Sequence, residues 1–463
     1  MDTATPIQRA PGRWLTDWDP EDERVWNNGG REVAHRNLAA SVLVEHLGFS
    51  VWTLWSVLVL FMTPETGFDY TAAQKFLLVA AVTLVGALAR VPYTLAVPRF
   101  GGRNWTVFVG AVLLVPTVTA ALLIQRPDTP FWVFALLALT AGLGGGNFSS
   151  SMSHISFLFP QRRKGAALGV NAGGGNLGVP AVHLLGLAVI ALFTERAGHV
   201  LPLLYVPLLV VACAVAWRRM DNVAGARGNA AEQLAVCADR HTWIMSTLYV
   251  GTFGSFVGYG FAFGLLLQNQ FGRSPMEAAT VTFLGPLVGS LARPVGGWLS
   301  DRFGGGRVTA LVFLAMTAGT GVLVLASLQG ALPLFTAGFL ALFVLTGVGN
   351  GSTYTMIPNI HAARAASRVA AGAPRERAVA ESRRAAAALL GLVGAVGSLG
   401  GVGINLAFRQ SFAATGSATH AFVAFLGFYV VCAAITWLVY LRRPATAPPA
   451  ASEPEPAATA PGA

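Results

Sequence analysis

Two arginines stand in apolar surroundings where a cation is costly, and they stand there in matching sequence. Leu84-Val-Gly-Ala-Leu-Ala-Arg90 recurs as Leu287-Val-Gly-Ser-Leu-Ala-Arg293, and Arg99-Phe-Gly-Gly102 recurs as Arg302-Phe-Gly-Gly305, both at an offset of 203 residues. In each copy the arginine precedes the polar Arg-Phe-Gly-Gly turn by nine residues, a depth of ~13 Å at the helical rise, which is close to the middle of a hydrocarbon core about 30 Å thick. Snorkelling to the interface suits arginines within a turn or so of a helix end, and nine residues is too deep for it. At similar depth the only acid is Glu45, because Asp301 belongs to the turn after the second arginine. Two cations with at most one carboxylate leave a positive cavity. A planar monovalent oxyanion held by two guanidinium forks is the simplest missing charge.

Other chemistry-bearing residues are sparse. Cys213, Cys237 and Cys432 are isolated, and no histidine cluster has metal-ligand spacing, so neither a metal nor a cofactor is expected. No HExxH or GxSxG motif occurs and no serine, histidine and acid are spaced as a triad, so the chain does not read as an enzyme. Groups that could titrate inside the apolar region are Glu45 and His46, His154 and His183.

The elements that must carry these residues follow from composition. Hydrophobic residues make up 54% of the chain and charged residues 11%, far from the balance of a soluble domain. Twelve apolar stretches are long enough to span a bilayer. Runs such as Trp105 to Ile124 are too long for barrel strands, so the backbone must satisfy itself within helices. The expected fold is all-α: residues 1–37 a cytoplasmic lead-in, 38–217 a six-helix bundle, 218–240 a polar cytoplasmic linker, 241–441 a second six-helix bundle, and 442–463 a disordered cytoplasmic tail rich in Ala and Pro. Trp14, Trp18 and Trp26 suit a lead-in lying at the membrane surface.

An even helix count puts both termini on one side. Of the 31 lysines and arginines, 24 fall on that side and 5 on the other, and the remaining two are Arg90 and Arg293. The positive-inside rule makes the richer side cytoplasmic. A net charge of +10 therefore reports topology and lipid contact in a multi-pass cell-membrane protein, and no nucleic-acid partner is expected. Between the spans expected at 333–357 and 386–409, the loop 358–385 carries six arginines and reads as a solvated, partly helical segment near anionic headgroups.

Glycine-rich segments flank the arginines. Gly144-Gly-Gly-Asn-Phe-Ser-Ser-Ser-Met-Ser153 lies in the fourth span and Lys164-Gly-Ala-Ala-Leu-Gly-Val-Asn-Ala-Gly-Gly-Gly-Asn-Leu-Gly178 opens the fifth. Their counterparts are Gly347-Val-Gly-Asn-Gly-Ser-Thr-Tyr-Thr-Met356 and Gly394-Ala-Val-Gly-Ser-Leu-Gly-Gly-Val-Gly403. Such density lets helices approach backbone to backbone. These segments, with Arg90-Val-Pro-Tyr93, Phe100-Gly-Gly-Arg103 and Asp17-Trp-Asp-Pro-Glu-Asp22, resemble the nitrate/nitrite porter branch of the major facilitators, in particular its NarK-type members. Parallel six-helix halves with a site between them near the midplane are the organisation of that superfamily.

The resemblance implies secondary transport of nitrate and nitrite with the anion between Arg90 and Arg293; the protein is expected to function as a monomer. It also implies aromatic walls at Phe49, Phe148, Tyr249 and Phe253, and a polar shell completed by Asn171 or Asn176. Flat rings can sandwich a flat anion, and an amide or phenol can donate to it without adding charge. Repulsion between two unoccupied arginines favours exchange, because bound cargo would relieve it before one half rocks against the other. Proton-coupled import through Glu45, His46 or His154 remains open, since NarK-type exchangers are expected to lack an essential acid and to carry asparagine where His154 stands. A nitrate-sensing receptor on the same fold is a third reading.

Overall fold

The computed structural model describes residues 7–193, 195–224 and 235–442. The disorder expected of the tail beyond Arg442 and the middle of the linker 218–240 lie outside these residues. Among the described residues the chain forms twelve membrane-length helical segments: α1 Arg31–Phe61, α2 Ala72–Phe100, α3 Gly102–Leu123, α4 Phe131–Leu158, α5 Gln161–Phe193, α6 Val200–Arg219, α7 Arg240–Phe271, α8 Pro275–Thr282 continuing as Leu284–Phe303, α9 Gly305–Gln329, α10 Leu332–Ala370, α11 Arg375–Thr415 and α12 Thr419–Leu441. Eleven are long and apolar enough to cross a membrane on length and composition alone. The twelfth is α8, the segment that carries Arg293 together with Asp301 and Arg302.

Proline sets four of the local breaks. Pro92, Pro116, Pro180 and Pro286 have no N–H to give the carbonyl four residues earlier, and the helices are interrupted beside that carbonyl at Ala89, Leu113, Leu177 and Phe283. In α7 the interruption is a π-turn, Val250–Gly254, a widening that is frequent at functional sites. It lies directly after Tyr249 and contains Phe253.

The first and second six helices pack together most tightly at the end away from the termini. Phe76 of α2 stacks on Phe412 and tilts against Phe408 of α11, Trp52 of α1 meets the edge of Phe261 of α7, and Gln268 donates to the Leu60 carbonyl at 3.1 Å. Nearer the middle, glycine is required where α7 and α11 touch: a Cβ on Gly254 would stand 2.7 Å from the Gly400 Cα. Toward the terminal side the packing needs no glycine at Gly165, Gly169 or Gly391, where a Cβ would have nothing within 4 Å.

Three expectations change. The long loop at 358–385 is mostly helix: α10 runs to Ala370, α11 starts at Arg375, and only four residues turn between them. Alanine is a strong helix former, and Arg368 and Arg377 both reach Glu381, at 2.8 and 2.9 Å, so these helices continue beyond the apolar spans. Likewise α1 begins at Arg31 rather than at residue 38. The lead-in, finally, is not simply laid on a membrane surface. Trp26 is 2% exposed in a small core of its own, 5.8 Å from the Phe159 ring, and Trp18 Nε1 donates to the Phe157 carbonyl at 3.0 Å.

That lead-in is stitched to the helices by a three-stranded sheet of two-residue strands. Arg9–Ala10 pairs antiparallel with Trp14–Leu15, which pairs parallel with Asn222–Val223 after α6. Beside it the carboxylate of Asp221, fully buried, takes Arg9 at 3.1 Å, Arg13 at 2.8 Å and Arg36 at 2.6 Å. Asn37 Nδ2 also donates to it at 3.1 Å, while Asn37 Oδ1 accepts the Asp221 N–H at 2.7 Å. One carboxylate therefore ties the lead-in, the start of α1 and the exit of α6 into a single clasp.

Candidate functional site

The break at Ala89 frees the start of the next helical turn, and Arg90 is its first residue. Its side chain points into the contact between the halves and is 1% exposed. Nη1 donates to the Gly394 carbonyl of α11 at 3.2 Å, while Nε and Nη2 find no partner among the described residues. The rings of Phe148 on α4 and Phe253 on α7 each lie 5.1 Å from its Cζ. Cation–π attraction positions the guanidinium between them without consuming its in-plane donors.

Arg293 enters from α8 and is less buried than Arg90. Its Nη2 donates to the Tyr249 hydroxyl at 3.3 Å, and its Cζ lies 5.4 Å from the Tyr354 ring. Tyr249 stacks on Phe253 with centroids 5.1 Å apart and faces Tyr354 at 5.8 Å. Glycine is required beside Arg293: a Cβ on Gly351 would meet the Arg293 carbonyl oxygen, and the Gly297 amide nitrogen at 2.6 Å. Phe49 leans on Phe148 at 6.0 Å. It lines, with Asn176 and Phe253, a pocket of about 10 Å³, room for a single water at most.

The sequence-nominated residues thus divide. Arg90, Arg293, Phe148, Tyr249 and Phe253 form one run of contacts across the two halves, Phe148 and Phe253 on Arg90, Phe253 on Tyr249 and Tyr249 on Arg293, and Phe49 and Asn176 stand beside it. Asn171 is engaged elsewhere, its Nδ2 donating to Glu45 Oε2 at 2.6 Å and to Ser151 Oγ at 2.8 Å. His46 Nδ1 lies 3.1 Å from the Gly174 carbonyl. His154 Nε2 lies 3.2 Å from Asn37 Oδ1, which attaches it to the Asp221 clasp, and His183 Nε2 lies 3.0 Å from Ser56 Oγ. Reasoning on sequence missed Tyr354 and the Gly394 carbonyl. A signal for the former existed: Asn147 of α4 and Asn350 of α10 are again 203 residues apart, both buried, so the repeat extends to the helix that carries Tyr354.

Chemically the arrangement offers two guanidinium forks joined by flat aromatic faces and neutral hydroxyls. Arg90 and Arg293 repel each other, and Glu45 is the acid that acts on Arg90. Donors left over in a low-dielectric wall, with net positive charge, suit a small planar oxyanion.

Comparisons with known proteins agree with this class. A sequence profile of the Major Facilitator Superfamily matches residues 46–373. Two solved structures share the fold. One is a bacterial homologue of the human lysosomal transporter Spinster, in an inward-facing and occupied conformation, with a TM-score of 0.62 at 19% identity over 87% of this chain and 95% of that one. The other is a D-xylose–proton symporter, with a TM-score of 0.63 at 16% identity over 86% of this chain and 97% of that one. The fold is that of a major facilitator, a multi-pass membrane carrier of two pseudo-symmetric six-helix bundles and not an enzyme. Among sequence relatives, the nitrate/nitrite transporter NarU of Escherichia coli is 41% identical over 93% of this chain and 96% of its own length. The probable nitrate/nitrite antiporter NarK2 of Thermus thermophilus is 35% identical over 78% of this chain and 86% of its own. The chain belongs to the NarK-type nitrate/nitrite porters of the Major Facilitator Superfamily.

Proposed function

We propose that this chain exchanges nitrate and nitrite across the cell membrane by alternating access, holding one anion at a time between Arg90 and Arg293. The observation that carries this reading is Arg90: a guanidinium almost wholly buried, fixed by two rings and one carbonyl, with Nε and Nη2 unpartnered and a second cation facing the same point. Residues 38–217 and 241–441 act as the two rocking halves, 218–240 as the linker between them, and both termini face the cytoplasm. The protein works as a monomer among lipids. Anion between the arginines neutralises one positive charge and bridges α2 to α8, so closure around cargo is favoured and closure of the empty site is opposed.

Proteoliposomes test the exchange. Vesicles loaded with nitrite, with pH clamped equal on both sides, take up labelled nitrate, and vesicles without internal anion take up at least about tenfold less. Equal uptake in both contradicts exchange.

The seat of Arg293 gives a second test. Gly351→Ala forces a Cβ into the α8 backbone, and overpacking of this kind costs about 1–3 kcal/mol. Relief requires α8 to move away from α10, carrying Arg293 with it. Nitrate affinity then falls roughly 5- to 150-fold if the same energy is lost in binding, read by calorimetry on detergent-purified protein. Unchanged affinity would show that Arg293 does not depend on this contact.

A further inference from the structure

Glu45 is the acid whose charge reaches the anion site, and neither exchange nor anion binding uses it. It is fully buried on α1. Its Oε2 accepts from Ser151 Oγ of α4 and from Asn171 Nδ2 of α5, and its Oε1 has no partner among the described residues. The space for the carboxyl is built: a Cβ at Gly175 would strike Glu45 Oε1, Cδ and Cγ. Ser151 Oγ also lies 3.0 Å from the Phe148 carbonyl, and the Phe148 ring packs on the Arg90 guanidinium. The carboxyl and the anion-binding cation are thus opposite ends of one short packed chain.

The groups facing Glu45 are few. On α4 these are Ser151 and, a turn further on, His154, which is turned to Asn37. On α5 Asn171 faces it and brings no charge, and on α2 Arg90 is, among the described residues, the charge that acts on the carboxyl. On α1 itself, His46 is turned to the Gly174 carbonyl.

We infer that Glu45 is a proton-binding site coupled to anion binding: the carboxyl is neutral when nitrate sits between the arginines, and its ionisation expels the anion by supplying Arg90 with a competing negative charge. This inference rests on the anion site proposed above and adds a second ligand, the proton, to it. Coupling between two sites is reciprocal, so nitrate binding must take up protons to the same extent that protons favour nitrate. The sign follows. Nitrate itself does not titrate in this range, so affinity is highest in acid and falls as pH rises through the ionisation of Glu45. Coupling of the usual size gives a total loss of about 5- to 150-fold.

The test uses the purified full-length protein, with nitrate as the probe. Nitrate Kd is measured from pH 5 to pH 9 for wild type and Glu45→Gln, and proton uptake on nitrate addition is followed with a pH dye in weak buffer. Wild type is expected to lose affinity toward pH 9 and to take up protons on binding. Glu45→Gln, which keeps His46, His154 and both arginines, is expected to hold the acid-limit affinity across the range and to take up none. A variant whose Kd follows the wild-type pH profile overturns the inference. So does wild-type binding that is independent of pH and without proton uptake, a result that needs no variant to fold and leaves the arginine site standing. Absence of nitrate binding at every pH removes the anion site itself, and this inference with it.

Discussion

Arg90→Ala and Arg293→Ala are each expected to weaken nitrate binding sharply, by at least about 30-fold, while the protein still folds and inserts. The expected size comes from what is removed. Deleting one partner of a buried, hydrogen-bonded charge pair costs about 2–5 kcal/mol, roughly 30- to several thousand-fold in Kd. Arg90 belongs at the upper end because it is 1% exposed and brings two free donors, whereas Arg293 is more open and already shares Nη2 with Tyr249. Arg90→Lys tests the geometry apart from the charge. It keeps a cation but loses the planar fork held between Phe148 and Phe253, and a point charge cannot make two parallel bonds to one oxyanion. Its affinity is expected to lie much closer to Arg90→Ala than to wild type. Calorimetry or labelled-nitrate binding reads all three, and wild-type affinity in either alanine variant would remove the site.

The largest expected loss of stability lies elsewhere, in Asp221→Ala. Removing one member of a fully buried ion pair costs about 3–5 kcal/mol, chiefly through the charge left unpaired. Here Arg9, Arg13 and Arg36 keep side-chain exposures of 37, 31 and 32%, so water recovers part of that and the loss should fall near the lower bound. The three arginines would also be left repelling one another across the small sheet. Thermal unfolding in detergent measures the loss, and protease cleavage in the lead-in reports that the clasp has opened. Little change in either would show that the sheet and the Trp26 core hold the lead-in unaided.

The pH dependence of the same clasp has a definite sign. Burial alone would push the Asp221 carboxyl up, but the Arg36 hydrogen bond and charge, with Asn37 and Arg13, outweigh it and hold the group below its ordinary value. A carboxylate held down in the folded state stabilises fully above its unfolded value, about 3.9, and the contribution disappears as pH falls through the lower folded value. The clasp is therefore whole at neutral pH and yields only in strong acid.

How much could be seen beforehand depended on the range of the signal. Arg90 and Arg293 were legible because the repeat and the distance to a polar turn are both sequence quantities. The glycine-rich segments announced close helix packing, and the structure places Gly254 against Gly400 and Gly351 against the α8 backbone. Asn171 shows the limit. Its type suits an anion shell, but whether an amide faces substrate or a neighbouring carboxyl depends on its rotation about a helix, and here it serves Glu45. The clasp was invisible for another reason: Asp221 and Arg9 are 212 residues apart, and strands of two residues leave no periodicity to detect. The ends of α10 and α11 were missed because Ala- and Arg-rich helix outside the bilayer carries no apolar run.

Determining the structure of the protein with nitrate bound, at a resolution that shows side chains, tests the central claim most directly. A flat density between Arg90 and Arg293, stacked near Phe148 and Phe253 and within hydrogen-bond reach of Arg90 Nε or Nη2, is the predicted result. Nitrate bound away from both arginines, or Arg90 donating all its bonds to the protein in the bound state, would contradict it.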